Sequence, residues 1–167
     1  MAVKPRKMMV MGVSGCGKST IGRRLARTLG LKFFDGDDFH SPESVKKMRV
    51  GIPLTDADRA EWLARLNQLL RDEPHVVLAC SALKPEYRVQ LSQGVEELCL
   101  IYLQGDVETI WQRYQQRDNH YFTGRSMLES QFSTLVEPEL GEALWIDIRQ
   151  SPDSVLSDIL NRLPSPC

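Results

Sequence analysis

Residues Gly12 to Thr20, "GVSGCGKST", place three glycines among small side chains and end in a lysine followed by two hydroxyls. Glycines let successive backbone N–H groups turn inward around an anion, and a helix starting at the lysine adds its positive N-terminal end. The pattern Gly-x-x-x-x-Gly-Lys-Ser is that of a phosphate-binding loop, and chance would produce it in a chain of this size on the order of once in a hundred. Gly12, Val13, Ser14, Gly15, Cys16, Gly17, Lys18, Ser19 and Thr20 are therefore candidates to hold a nucleotide. Lys18 would reach the β- and γ-phosphates and Ser19 would place its hydroxyl on Mg²⁺. Cys16 reads as a small buried filler or, alternatively, an oxidation-sensitive thiol.

A second polar cluster is "FFDGDDFH", where Asp35, Asp37 and Asp38 surround Gly36. Beside a phosphate and a metal, one acid could hold metal-bound water and another could accept the proton of an attacking hydroxyl. The alternative is an ordinary Asp-Gly turn. His40 ends the cluster; it is a candidate substrate contact, although a lone histidine is more often structural. The run "HVVLACSAL" ends without the carboxylate that many nucleotide hydrolases carry there, and Asp147 in "LWIDI" reads as peripheral.

Cations form the third group. Lys84 and Arg88 lie four residues apart in "CSALKPEYR", which on a helix would set both on one face and suit an anionic substrate such as a carboxylate. Arg113 and Arg117 repeat that spacing, with Arg125 beyond. The stretch 117–127, "RDNHYFTGRSM", is polar, basic and aromatic with no clear period. It reads as a flap whose arginines could neutralise a transferring phosphoryl group and keep water out.

These groups need a scaffold. Strand-length apolar runs recur at Met8 to Met11, Lys32 to Asp35, Val76 to Cys80, Leu98 to Leu103 and Ala143 to Ile148, separated by helical patterns. That alternation predicts a five-stranded parallel sheet with helices on both faces. A first helix is expected from Lys18 to Leu29, with Gly30 as its stop and Gly22 marking close packing on the sheet. Between the second and third strands, two helical segments are expected within residues 38–73. Ser41-Pro42-Glu43 starts one, and the Thr55 to Asp58 capping box starts the other, with Trp62, Leu63, Leu66, Leu69 and Leu70 inward. Further helices should open at Pro85, after Asp106, and at Ser151-Pro152.

At 167 residues the chain suits one domain, and 21 basic against 22 acidic residues leave a net charge of -1, which argues against nucleic acid or an anionic membrane as partner. The N-terminal apolar stretch is about four residues, short of a signal-peptide core, and no run approaches the roughly 20 residues of a membrane span, so a cytoplasmic protein is expected. The four cysteines lack metal-site or redox spacing and read as reduced.

With these residues in view, the chain resembles the P-loop gluconokinases, relatives of shikimate kinase and the nucleoside monophosphate kinases. The resemblance runs from Met9 to about Pro138 and rests on "MGVSGCGKS", "DGDDFH", "KKMRVGIPLTDADRAEWL", "CSALKPEYR", "YLQGD" and "ESQFSTLVEP". It implies a three-layer α/β/α kinase fold with a substrate-binding insertion and a lid over about 117–127. It also implies ATP and Mg²⁺ as cofactors, transfer to the 6-hydroxyl of D-gluconate, and a homodimer in some relatives. Asp35 falls at the acid near Mg²⁺ and Asp37, rather than Asp38, at the acid that grips the acceptor hydroxyl. The resemblance places Lys84 and Arg88 on gluconate, Arg117 at the start of the lid, and the loop of Gln150, Ser151 and Pro152 near adenine. Lid residues Asn119-His120-Tyr121 depart from the Gly-His-Phe of the family. Two other readings compete. One is a kinase of another small hydroxy acid or a nucleotide; the other is a nucleotide switch, against which stands the absence of Asn-Lys-x-Asp and of Asp-x-x-Gly after a strand.

Overall fold

The computed structural model describes residues 6–115 and 125–163. In chain order the elements are β1 (Arg6–Met11), α1 (Lys18–Leu29), β2 (Lys32–Asp35), a 3₁₀ turn (Gly36–Phe39), α2 (Pro42–Arg49) and α3 (Asp56–Asp72). They continue with β3 (His75–Ala79), α4 (Pro85–Ser92), β4 (Leu98–Gln104), α5 (Val107–Gln115), α6 (Arg125–Thr134), β5 (Leu144–Asp147) and α7 (Pro152–Arg162). All strand pairs are parallel and the order is β2-β3-β1-β4-β5. This is the expected five-stranded α/β architecture.

Strand alternation divides the interior in two. Met8 and Val10 point to the face covered by α1, α5, α6 and α7, with Leu25, Ile110, Leu128 and Ile159. Met9 and Met11 point to the other face, covered by α3 and α4, with Trp62, Leu66, Leu70 and Leu91. With both faces covered, the central strands read as unbroken apolar runs. Leu25, Leu66, Leu70 and Leu91 are fully buried, each favouring the folded chain by about 1.5–3 kcal/mol.

The first helix spans Lys18–Leu29 as its pattern predicts, and Gly30 closes it with φ 71°. A Cβ on Gly22 would lie 2.7 Å from the Phe33 ring, so this glycine lets α1 press onto β2. Asn67, buried on α3, donates to the carbonyls of Leu91 and Gln93 at 2.9 and 2.8 Å and ties α3 to the end of α4. None of the described helices is long and apolar enough to cross a membrane.

Two features differ from expectation. Residues Arg125 to Met127, assigned above to the flap, begin a regular helix, α6. Met127 and Leu128 are buried there, and Phe132 and Leu135, one and two turns on, pack against the core that holds Leu128, so the apolar period of this helix begins only past a polar first turn. The remaining flap residues, 117–124, lie outside the described residues. The acidic turn after β2 is also a short 3₁₀ helix, in which Asp35 accepts from the Asp37 N–H at 3.0 Å.

The capping box of α3 is complete: Thr55 accepts from the Asp58 N–H at 3.1 Å and Asp58 from the Thr55 N–H at 3.0 Å. Asp58 also pairs with Lys47 of α2 at 2.7 Å, joining the two helices of the insertion. The Lys47 hydrogen bond, followed by the Thr55 N–H, lowers the Asp58 carboxyl from 3.8 to about 2. A carboxyl lowered by folding stabilises the native state above its unfolded pKa and loses that contribution as pH falls through the folded value. Thermal melts should therefore show wild type above Asp58→Asn near neutral pH, with the gap closing between about pH 4 and pH 2.

Candidate active site

The phosphate loop leaves the carboxyl end of β1 and enters α1 through Gly17, at φ 99°. Gly12 and Gly15 also have positive φ, 149° and 86°, conformations that a side chain would strain. Val13 and Cys16 are buried beneath the loop, whereas Thr20 is exposed on the first turn of α1. The Lys18 ammonium donates to the Val13 carbonyl at 3.2 Å, lying back across the loop it serves.

The acidic turn adjoins this loop. Ser19 donates its hydroxyl to Asp35 at 2.5 Å, bringing together the two groups expected at Mg²⁺. Hard oxygen donors of this kind suit Mg²⁺, which keeps several waters and phosphate oxygens in its shell. The described residues accordingly form no cluster of three or more metal-ligating side chains. Gly36 packs so closely that a Cβ would approach the Ala79 carbonyl to 2.8 Å. Trp62 of α3 donates to the Gly36 carbonyl at 2.7 Å, which fixes the turn from the other side.

His40 is stacked on Trp62 with ring centroids 4.3 Å apart, and its Nε2 lies 3.7 Å from Asp37. Its side chain is 4% exposed and its Nδ1 has no partner among the described residues. Desolvation raises the Asp37 carboxyl, but the neighbouring His40 ring and the charge of Lys18 outweigh it and leave the pKa below the ordinary value. Asp37 is thus a carboxylate at neutral pH and able to accept a proton or a hydroxyl hydrogen bond. Asp38 is exposed on the same turn.

Lys18, Asp37 and His40 line a cavity of about 330 Å³ together with Ser14, Lys84, Asp56, Arg59, Trp62 and the α6 residues Met127, Ser130, Gln131 and Thr134. That volume lies within the usual range for a small-molecule site. One wall is a charged cluster. Tyr87 donates to Asp56 at 2.7 Å, Lys84 lies 3.5 Å from Asp56, and Arg59 donates to the Tyr87 hydroxyl at 3.2 Å. Lys84 and the Arg59 guanidinium each lie 5.5 Å from the Tyr87 ring centroid. The Tyr87 hydrogen bond and then Lys84 lower the Asp56 carboxyl, while Tyr87 and Asp56 raise the Lys84 ammonium. Asp56 is thus held as a carboxylate and Lys84 as an ammonium, and with the Arg59 guanidinium two cations face one anion on this wall.

Arg88 is not brought here with Lys84. Its guanidinium is buried and donates to Glu142 at 2.8 Å, to the Ala82 carbonyl at 2.8 Å and to the Val136 carbonyl at 3.0 Å. Lys84 is the N-cap of α4, with extended backbone at φ -110°, ψ 147°. The four-residue spacing therefore does not translate into a shared helix face, and Arg88 turns inward as a structural clamp. The cation that stands beside Lys84 on this wall is Arg59, for which "TDADRAEW" offered only a place one turn past Asp56 on α3.

Arg113 lies outside the cavity lining and donates to the Ile148 carbonyl, just past β5 and next to the loop of Gln150 to Pro152. Arg117 lies outside the described residues. Asp147 is paired with Arg149 at 2.8 Å, in keeping with a peripheral place. The sequence reading also missed α6 as a wall. Gln131 accepts from the Ser14 N–H at 2.7 Å, a contact across 117 residues that joins α6 to the phosphate loop.

The family model for shikimate kinase matches residues 14–161. A probable gluconokinase of Dictyostelium discoideum is 42% identical, the match covering 93% of this chain and 85% of that protein. A gluconokinase of Gluconobacter oxydans strain 621H is 40% identical, with 96% and 92% covered. A crystal structure of a gluconokinase from Sinorhizobium meliloti 1021 superposes with a TM-score of 0.86 at 37% identity, covering 96% of this chain and 92% of that one. The stretch matched by the family model includes every residue lining the cavity, and with relatives this similar over nearly its whole length the chain belongs to the gluconokinases, a branch of the shikimate kinase family of P-loop kinases.

Proposed function

We infer that this chain transfers the γ-phosphoryl group of ATP to the 6-hydroxyl of D-gluconate, giving 6-phospho-D-gluconate and ADP. The observation that carries this reading is a single cavity lined by the phosphate-loop lysine, a carboxylate held ionised, and the Arg59 and Lys84 pair gathered about Asp56. The first two groups fit a phosphoryl donor and a hydroxyl acceptor. The surplus positive charge of the third fits the carboxylate of the same acceptor.

Phosphoryl transfer proceeds through a loose transition state, so catalysis rests on positioning and charge neutralisation. Residues Gly12 to Thr20 hold the phosphates through backbone N–H groups, and Lys18 places its charge on the β- and γ-oxygens. Ser19 and Asp35 would hold Mg²⁺, whose chemistry is neutralisation of those same oxygens. Asp37 accepts the hydrogen of the 6-hydroxyl, aims its oxygen in line with the phosphorus and takes the proton as the bond forms. His40 and Trp62 keep that carboxylate in place. Arg113 serves the nucleotide beside the Gln150 to Pro152 loop, and Arg117 serves the transferring group.

An acceptor panel read by ADP release should give D-gluconate the highest kcat/KM. Turnover of shikimate or a nucleoside monophosphate about ten times better than gluconate would overturn the assignment. Lys18→Met should lower kcat by about 10²-fold or more in the same assay. For Asp37→Asn we expect kcat to drop by about 10²-fold or more while nucleotide affinity by calorimetry stays within about twofold; a near-normal kcat would remove Asp37 from the chemistry.

A further inference from the structure

We propose that Gln131 is an acceptor-reading residue that binds hydroxyl groups of the polyol chain with one end of its amide while the other end holds the phosphate loop. The proposal rests on the reading of the cavity as the acceptor site. The two ends of an amide side chain are often ambiguous, but here chemistry decides between them. A backbone N–H can only donate, so the Ser14 N–H at 2.7 Å must face the Gln131 oxygen. The NH2 group is therefore the other end, and Gln131 borders the cavity shared by Lys18 and Asp37. Among the described residues nothing accepts from that NH2.

Its mounting is rigid. Leu128, one turn earlier on α6, is buried in the core beside α5, and Arg125 at the start of the helix pairs with Glu108 of α5 and with Glu129. One turn after Ser130, Thr134 commits its hydroxyl hydrogen to the Ser130 carbonyl at 3.0 Å, leaving its oxygen able only to accept. This face of α6 therefore offers the two N–H donors of Gln131 and the Thr134 acceptor, with Ser130 beside them, and no charge. That composition matches hydroxyl groups and leaves the carboxylate to Arg59 and Lys84. Because the Gln131 oxygen also holds the third residue of the phosphate loop, filling the acceptor site would brace the loop that presents the donor.

Two length-preserving substitutions test this. Gln131→Glu keeps an oxygen for the Ser14 N–H but replaces the two donors with an anionic acceptor, and Gln131→Met removes both ends. Both should raise the KM for gluconate by about tenfold or more. In Gln131→Glu, ADP affinity should stay within about twofold and the melting temperature within about 2 °C, separating lost recognition from lost structure. Monodeoxy gluconates supply a cycle: for the hydroxyl read by Gln131, the deoxy penalty in kcat/KM seen with wild type should nearly vanish in Gln131→Met. Wild-type turnover of gluconate with an unchanged KM in Gln131→Glu, or deoxy penalties that persist at every position in Gln131→Met, would overturn this inference alone. Failure of the wild type to use gluconate would instead overturn the functional reading on which it rests.

Discussion

The site depends on the parallel register that ends three strands at one level. Ala79 of β3 is the register partner of both Val10 of β1 and Asp35 of β2. Past that line the Gly12 N–H meets the Ser81 carbonyl at 3.4 Å, and the Ser19 hydroxyl reaches Asp35. Donor loop, metal-facing acid and acceptor base thus emerge side by side at the carboxyl ends of the strands, where ligands of open α/β sheets bind. A one-residue slip of β2 would send Asp35 to the other face of the sheet and separate it from Ser19.

The apolar interior extends this alignment into the acceptor half. Trp62 of α3 is only 5% exposed, in the core shared with β3, yet its one polar atom fixes Gly36 and its ring supports His40. A side chain placed by packing therefore positions the carboxylate that faces the substrate. The insertion is secured in the same economical way: the Asp58 carboxylate that caps α3 also reaches across to Lys47 on α2. On the cavity wall the Arg59, Lys84, Asp56 and Tyr87 cluster keeps a net positive balance toward the ligand. Rigid helices carry these groups, which favours preorganised recognition over loop closure on that side.

Much was legible before folding because local rules suffice for it. The bounds of α1 follow from apolar residues one turn apart and a glycine stop, and Pro42, Pro85 and Pro152 each start a helix as their sequence context predicts. The phosphate loop and the acidic turn are contiguous motifs whose chemistry needs no distant partner. The start of helix α6 was not legible, since its first residues, Arg125 and Ser126, are polar and its apolar spacing, Leu128, Phe132 and Leu135, begins only past them.

By itself the sequence determined the architecture, the phosphate cradle and the acids beside it, because each arises from spacing within a few residues. Only tertiary structure decided the partners of the cations and the α6 wall of the cavity. Lys84 and Arg88 look equivalent in the chain, but the extended N-cap backbone turns one to the cavity and the other into three buried hydrogen bonds. Gln131 meets Ser14 across 117 residues, a separation over which no local pattern carries information; packing of α6 against α5 and the core creates the contact.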